Sequence, residues 1–107
     1  MPVGLLLSFA IASEVAATVS LRYSDGFSKP LPSAIVVIGY AISFWLLALV
    51  LKELSVGTTY AIWAGAGTAA VALIGVVALG EPATALKLGS IALIIAGVIG
   101  LNLSGAH

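Results

Sequence analysis

The 107-residue chain has no cysteine, and its single histidine is the last residue, His107. Disulfides, thiol chemistry and a Cys/His zinc site are excluded on that ground. Charge is equally scarce: 4 Lys and Arg against 4 Asp and Glu make 7% of the residues, with a formal net charge of zero. Soluble domains carry roughly 25% charged residues, so these few cannot cover a water-soluble surface. Without a basic run, nucleic acid is not an expected partner. The sequence offers no Ser/His/Asp set, glycine-rich phosphate loop or metal-ligand cluster. An enzyme, a cofactor and a bound metal all lack the residues they would need.

What the chain does have is apolar length. Hydrophobic residues make up 62% of it, and mean hydropathy is +1.26. Four apolar segments, at about 3–21, 33–51, 57–79 and 85–103, are separated by short polar connections. Only helices and closed barrels satisfy their backbone in lipid, and runs of this length fit helices rather than alternating ten-residue barrel strands. The expected fold is therefore an all-α membrane protein, one transmembrane domain over 1–107 with four helices. The first segment does not read as a signal peptide: it has no basic start and carries a central Glu14, and more apolar segments follow it. Asp25-Gly26 with Pro30 and Pro32 supplies turn and helix-start chemistry in the first loop, and Gly80-Glu81-Pro82 breaks the third segment.

Orientation signals nearly cancel. Arg22, Lys29 and Lys87 fall on one side and Lys52 on the other, which places the first and third loops in the cytoplasm by a narrow margin. A chain so evenly charged is also compatible with insertion both ways round. Arg22, Asp25, Lys29, Glu81 and Lys87 read as solvated, topology-setting charges.

Glu14 is the one charged side chain between Pro2 and Leu21. It lies near the bilayer midplane, where an ionisable group is costly and marks a functional site by default. Ala10, Ala17 and Thr18 share its helix face at three- and four-residue spacing, and their small size leaves room for a ligand or a close helix. On the second helix Tyr40, Ser43, Phe44 and Leu47 form one stripe; on the third, Tyr60, Trp63 and Gly67 form another. An anionic carboxylate ringed by electron-rich faces suits a lipophilic cation. The competing reading is packing and, for Tyr23, Phe27 and Trp45, a headgroup belt. Gly65 and Gly67 are either close-packing positions or a hinge. Ser90, Gly97 and Ser104 recur every seven residues and mark a seam for helix association.

These residues together resemble the small multidrug resistance transporters. The resemblance runs end to end and rests on Ser-Glu-Val-Ala-Ala-Thr at 13–18, Ser24-Asp25-Gly26-Phe27, Ser-Phe-Trp-Leu-Leu-Ala at 43–48, Tyr-Ala-Ile-Trp-Ala-Gly-Ala-Gly at 60–67, Ala96-Gly97-Val98 and Asn102-Leu103. It implies an antiparallel homodimer of eight helices with dual topology in the bacterial inner membrane, exchanging protons for cationic drugs; the partner is a second copy or a paralogous subunit. It implies Glu14 as the proton and substrate carboxylate, with Tyr40, Tyr60, Trp63, Ala10, Ala17, Thr18, Ser43 and Phe44 around the substrate. Gly65 and Gly67 become the kink, and Ser90 and Gly97 the dimer seam. Guanidinium exporters of the family usually carry Trp three positions after this Glu and Gly four before it, where Ala17 and Ala10 stand here. The resemblance therefore points to the multidrug branch, with a guanidinium/proton exporter as the alternative. A non-transporting membrane subunit pairing through Glu14 is the reading from another class. Gly4 and Ser90 depart from the family pattern, at a substrate-contacting Tyr and a seam Gly respectively.

Overall fold

A computed structural model describes residues 2–104, which form four helices: α1 (Val3–Tyr23), α2 (Pro30–Val50), α3 (Val56–Ala78) and α4 (Ala85–Leu103). At about 1.5 Å per residue, helices of this length span roughly 28–35 Å, the thickness of a bilayer core. All four are long and apolar enough to cross a membrane. The chain is a multi-pass membrane protein. It divides into two compact units, an α1–α2 hairpin ending at Glu53 and an α3–α4 hairpin starting at Leu54.

Two helix ends differ from the sequence reading, for local reasons. α2 begins at Pro30 rather than Ser33. Pro30 and Pro32 both fall in its first turn, where N–H groups have no intrahelical acceptor and a proline loses nothing. α1 continues through Arg22 to Tyr23 because Ser24 closes it: its hydroxyl donates to the Leu21 carbonyl (2.7 Å) and accepts from the Phe27 N–H (3.1 Å). The chain then turns through left-handed backbone at Asp25, Gly26 and Phe27 (φ 49°, 68° and 66°). Gly26 adopts that conformation freely, whereas Phe27 does so at a cost. The Ser28 and Lys29 N–H groups, both bonded to the Ser24 carbonyl, hold the turn.

In the first hairpin the seam is built from small residues. Ala10 and Ala17 of α1 and Ser43 and Val50 of α2 are wholly buried. A Cβ on Gly39 would fall 2.9 Å from the Ala17 Cβ and 3.1 Å from the Ser13 carbonyl oxygen, so the backbones approach as closely as they do only because position 39 has no side chain. Burial in lipid offers no hydrophobic gain between helices, so close packing and interhelical hydrogen bonds must hold them. The Ser43 hydroxyl supplies one, donating to the Ala10 carbonyl at 2.6 Å.

The second hairpin closes differently. A Cβ on Gly65 would meet the Val98 Cγ2 at 2.8 Å, so Val98 of α4 seats in the notch that Gly65 leaves on α3. α3 is helical without interruption through Gly65 and Gly67. At its C-terminus, Gly80 (φ +71°) turns the chain and the Glu81 N–H returns to the Gly75 carbonyl at 3.0 Å, a glycine-terminated closure. The Glu81 carboxylate then lies against Gly75, in space a Cβ there would need. Thr84 caps α4 by accepting from the Lys87 N–H. Lys87 and Glu81, expected as solvated, topology-setting charges, are partly exposed and pair with each other at 3.0 Å. Each stands at an unfavourable helix end, the cation in the first turn of α4 and the carboxylate beyond the last turn of α3.

Candidate functional site

Glu14 is the twelfth of the 21 residues of α1, near mid-span. It is the single carboxylate within the four helices. The helix repeat places Thr18 one turn further on, and the Thr18 hydroxyl donates to Glu14 Oε1 at 2.8 Å. Across the seam, Thr18 Oγ1 lies 2.6 Å from the Tyr40 Oη. A threonine hydroxyl has one hydrogen. Because Thr18 gives it to Glu14, Tyr40 is the donor in the second bond. The hydroxyls thus run in one direction, Tyr40 to Thr18 to Glu14. Glu14 Oε2 is buried and has no hydrogen-bond partner.

α2 sets this geometry with three residues of little more than one helical turn. Gly39 lets α1 approach, Tyr40 reaches Thr18, and Ser43 fixes the Ala10 carbonyl one turn below Glu14. Ala10 and Ala17 are wholly buried, and Ala17 packs at the Gly39 notch; they make the hairpin close enough for a hydroxyl bridge. Phe44 is 56% exposed, with its ring 6.4 Å from that of Tyr40. The sequence puts Thr18 beside Glu14, and Tyr40 on a stripe with Ser43, Phe44 and Leu47 that is expected near the substrate. The bond between Thr18 and Tyr40 and the contact at Gly39 were not foreseen. A glycine next to Tyr40 in mid-helix was the available signal.

In the other hairpin, Tyr60 and Trp63 lie ring to ring on α3, with centroids 5.6 Å apart and planes inclined by 58°. Tyr60 is 59% exposed, so part of this aromatic surface is open. The groove between α3 and α4, bounded by Ala66, Leu73, Ile95 and Ile99, is apolar and holds no group for chemistry. Ser90 turns its hydroxyl back to the Leu86 carbonyl, which conceals its polarity. It is exposed, as is Gly97 one heptad on. No group of three or more metal-ligating side chains occurs among the described residues.

A mid-span carboxylate, held at one oxygen and buried without a partner at the other, can take up a proton or pair with a cation, whether a ligand or a basic side chain. Comparison with known proteins identifies the family. Residues 4–94 match the family described as Small Multidrug Resistance protein. The chain belongs to that family. The match runs across both hairpins. The Guanidinium exporter of Escherichia coli K12 is 46% identical over 100 residues, covering 94% of this chain and 95% of that protein. The Multidrug resistance protein mmr of Mycolicibacterium paratuberculosis is 44% identical over 104 residues, covering 96% and 97%. The Quaternary ammonium compound-resistance protein QacE of Escherichia coli is 44% identical over 99 residues, covering 92% and 90%. These relatives are named for export and resistance, in line with a transporter rather than an enzyme.

Proposed function

We propose that the chain is a proton-coupled antiporter exporting lipophilic and aromatic cations, quaternary ammonium compounds and dyes among them, across the bacterial inner membrane. Glu14 carries this reading. Its Oε2 is buried and unpartnered in a segment where an uncompensated charge is costly, so the group is stabilised when a proton or a cation neutralises it. Protons and drug then compete for one acceptor. Loaded forms change access readily, whereas the empty form must carry a bare charge through the apolar interior.

The working unit in this reading is an antiparallel homodimer of dual topology. Two Glu14 residues share a cavity of eight helices, and two opposed copies supply the inverted repeat that larger transporters hold in one chain. Ser90 and Gly97, exposed on α4, form its seam. Tyr40, Phe44, Tyr60 and Trp63 offer ring faces to the cation. Gly65 and Gly67 let α3 bend as access alternates, with Val98 leaving and re-entering the Gly65 notch.

A second reading, a guanidinium/proton exporter, has its support in a relative of that name, 46% identical to this chain. A non-transporting subunit would require a basic partner for Glu14, and family membership argues for transport instead. Purified protein in liposomes, offered tetraphenylphosphonium and guanidinium separately under a pH gradient, separates the three. Proton-coupled current with the first supports the multidrug reading, current with guanidinium alone supports the exporter, and silence with both supports the subunit. Glu14→Gln should abolish coupled current; its persistence would refute the assignment of Glu14.

A further inference from the structure

We infer that Thr18, oriented by Tyr40, sets the cation specificity of Glu14 by bonding to one carboxylate oxygen, which makes Oε1 the weaker acceptor and Oε2 the stronger. This rests on the reading of Glu14 as the cation site. It assigns to Thr18 and Tyr40 the choice between cation classes.

The geometry fixes the argument. Thr18 donates to Oε1 at 2.8 Å, and Tyr40 donates to Thr18 at 2.6 Å. A donor that is itself accepting a hydrogen bond is polarised and bonds more strongly. Oε2 is the acceptor left over. From α2, the element packed on α1, Tyr40 is the titratable side chain that reaches this group. The other charged residues of the hairpin, Arg22, Asp25, Lys29, Lys52 and Glu53, lie at its ends.

Cations differ in what they ask of a carboxylate. Guanidinium binds best through two parallel N–H···O bonds, one to each oxygen. At Glu14 its second arm would share Oε1 with a short, polarised hydroxyl bond and gain less from it. A quaternary ammonium or phosphonium ion has no N–H to place. It needs negative charge and aromatic faces, and loses nothing when Oε1 is already in use. A proton also needs one oxygen, and its arrival at Oε2 leaves the hydroxyl chain unchanged. The bridge therefore disfavours guanidinium selectively and leaves proton exchange intact. In the proposed dimer each Glu14 keeps its own Thr18, so each carboxylate meets the ion with one fully open oxygen.

The test is the ratio of guanidinium to tetraphenylphosphonium affinity, measured by calorimetry on the full-length protein in detergent at fixed pH. Effects of a substitution common to both cations cancel in the ratio. Thr18→Val keeps the shape and frees Oε1; it should raise the ratio about tenfold, the scale of one hydrogen bond to a charged group. Thr18→Ser keeps the hydroxyl and should leave the ratio at the wild-type value. Tyr40→Phe removes the polarising donor and should move the ratio the same way by less. The carboxylate stretching bands of the guanidinium complex should change from a monodentate to a bidentate pattern in Thr18→Val only. An unchanged ratio in Thr18→Val, or equal shifts in Thr18→Val and Thr18→Ser, overturns the proposal. If Thr18→Val does not fold, a wild-type ratio in Tyr40→Phe overturns it. Undiminished binding of both cations by Glu14→Gln, or no binding of either by the wild type, overturns instead the reading of Glu14 on which it rests.

Discussion

Gly39→Ala is the substitution that tests the first hairpin most directly. The added methyl carbon would fall 2.9 Å from the Ala17 Cβ, 3.1 Å from the Ser13 carbonyl oxygen and 3.4 Å from the Ala17 Cα. None of these atoms is the end of a flexible side chain, so no rotamer change relieves the contact. Two methyl carbons need about 3.5–4.0 Å, and α1 and α2 must therefore separate by roughly 0.6–1.1 Å at this level. The adjacent Thr18–Tyr40 bond, 2.6 Å as it stands, would open to about 3.2–3.7 Å if it followed that movement, at or beyond the limit for two hydroxyls. Overpacking costs about 1–3 kcal/mol, and the lost interhelical bond adds about 0.6 kcal/mol in a membrane setting.

Two measurements follow from one variant. Equilibrium unfolding in mixed micelles, read by circular dichroism, should show destabilisation of about 2–3 kcal/mol. The guanidinium to tetraphenylphosphonium affinity ratio should move in the direction given above for Tyr40→Phe. Adding Ala17→Gly removes the opposing methyl and should restore both in large part. Wild-type stability in Gly39→Ala would refute the close approach at Ala17. Destabilisation that Ala17→Gly leaves untouched would refute its cause.

Gly65→Ala should destabilise through the Val98 Cγ2 contact at 2.8 Å, by about 1–3 kcal/mol; Val98→Ala should recover most of it in the same unfolding assay, because the β-branched valine has little rotamer freedom to yield. Gly75→Ala should cost under about 1 kcal/mol, because the group displaced is the mobile carboxylate of Glu81, whose exposed pair with Lys87 contributes little. Unfolding midpoints in low and high salt should then differ less in Gly75→Ala than in the wild type. Trp63→Ala should weaken tetraphenylphosphonium more than a small aliphatic ammonium by about 0.5–2 kcal/mol; equal losses would leave Trp63 a packing role only. In the proposed exchange protons and cation share one acceptor, and cation affinity should then fall as pH is lowered in the wild type and stay flat in Glu14→Gln, which calorimetry across a pH series will show.

The four helices were legible because the apolar segments are long and their breaks are chemically explicit. The sequence signal blurred where a cap overrode hydropathy: Ser24 extends α1 past a charged Arg22, and prolines that read as loop open α2. Glu14 and Thr18 were legible together because a helix fixes the relation between positions 14 and 18. The resemblance put Tyr40 and Ser43 around the substrate, but their bonding partners on α1 were not readable, since one helix says nothing about the axial register of the next. That register is set here by Gly39, by the Ser43–Ala10 bond and by the six-residue connection from Ser24 to Lys29, and only the last of these is local in sequence. Glu81 and Lys87 show the converse. Their spacing spans a helix cap rather than a helix turn, so no periodicity announced the pair.

Sequence identity does not decide which cation this protein moves. A relative named for guanidinium stands at 46% and one named for quaternary ammonium compounds at 44%, over nearly the same span. Two percentage points over about a hundred residues carry no information about a site this small. In the inference drawn above the decision lies in the few atoms around the carboxylate: Thr18, which bonds to it, and Tyr40, which bonds to Thr18. If they determine the outcome, one hydroxyl should matter more to specificity than dozens of substitutions on the lipid-facing surface. A variant carrying many conservative changes at exposed α2 positions, such as Ile35, Val37, Ile38 and Ile42, should then keep the wild-type cation ratio, while Thr18→Val alone should shift it. The reverse outcome would place specificity in the helix surfaces and their assembly, not in the hydrogen bonding of the acceptor.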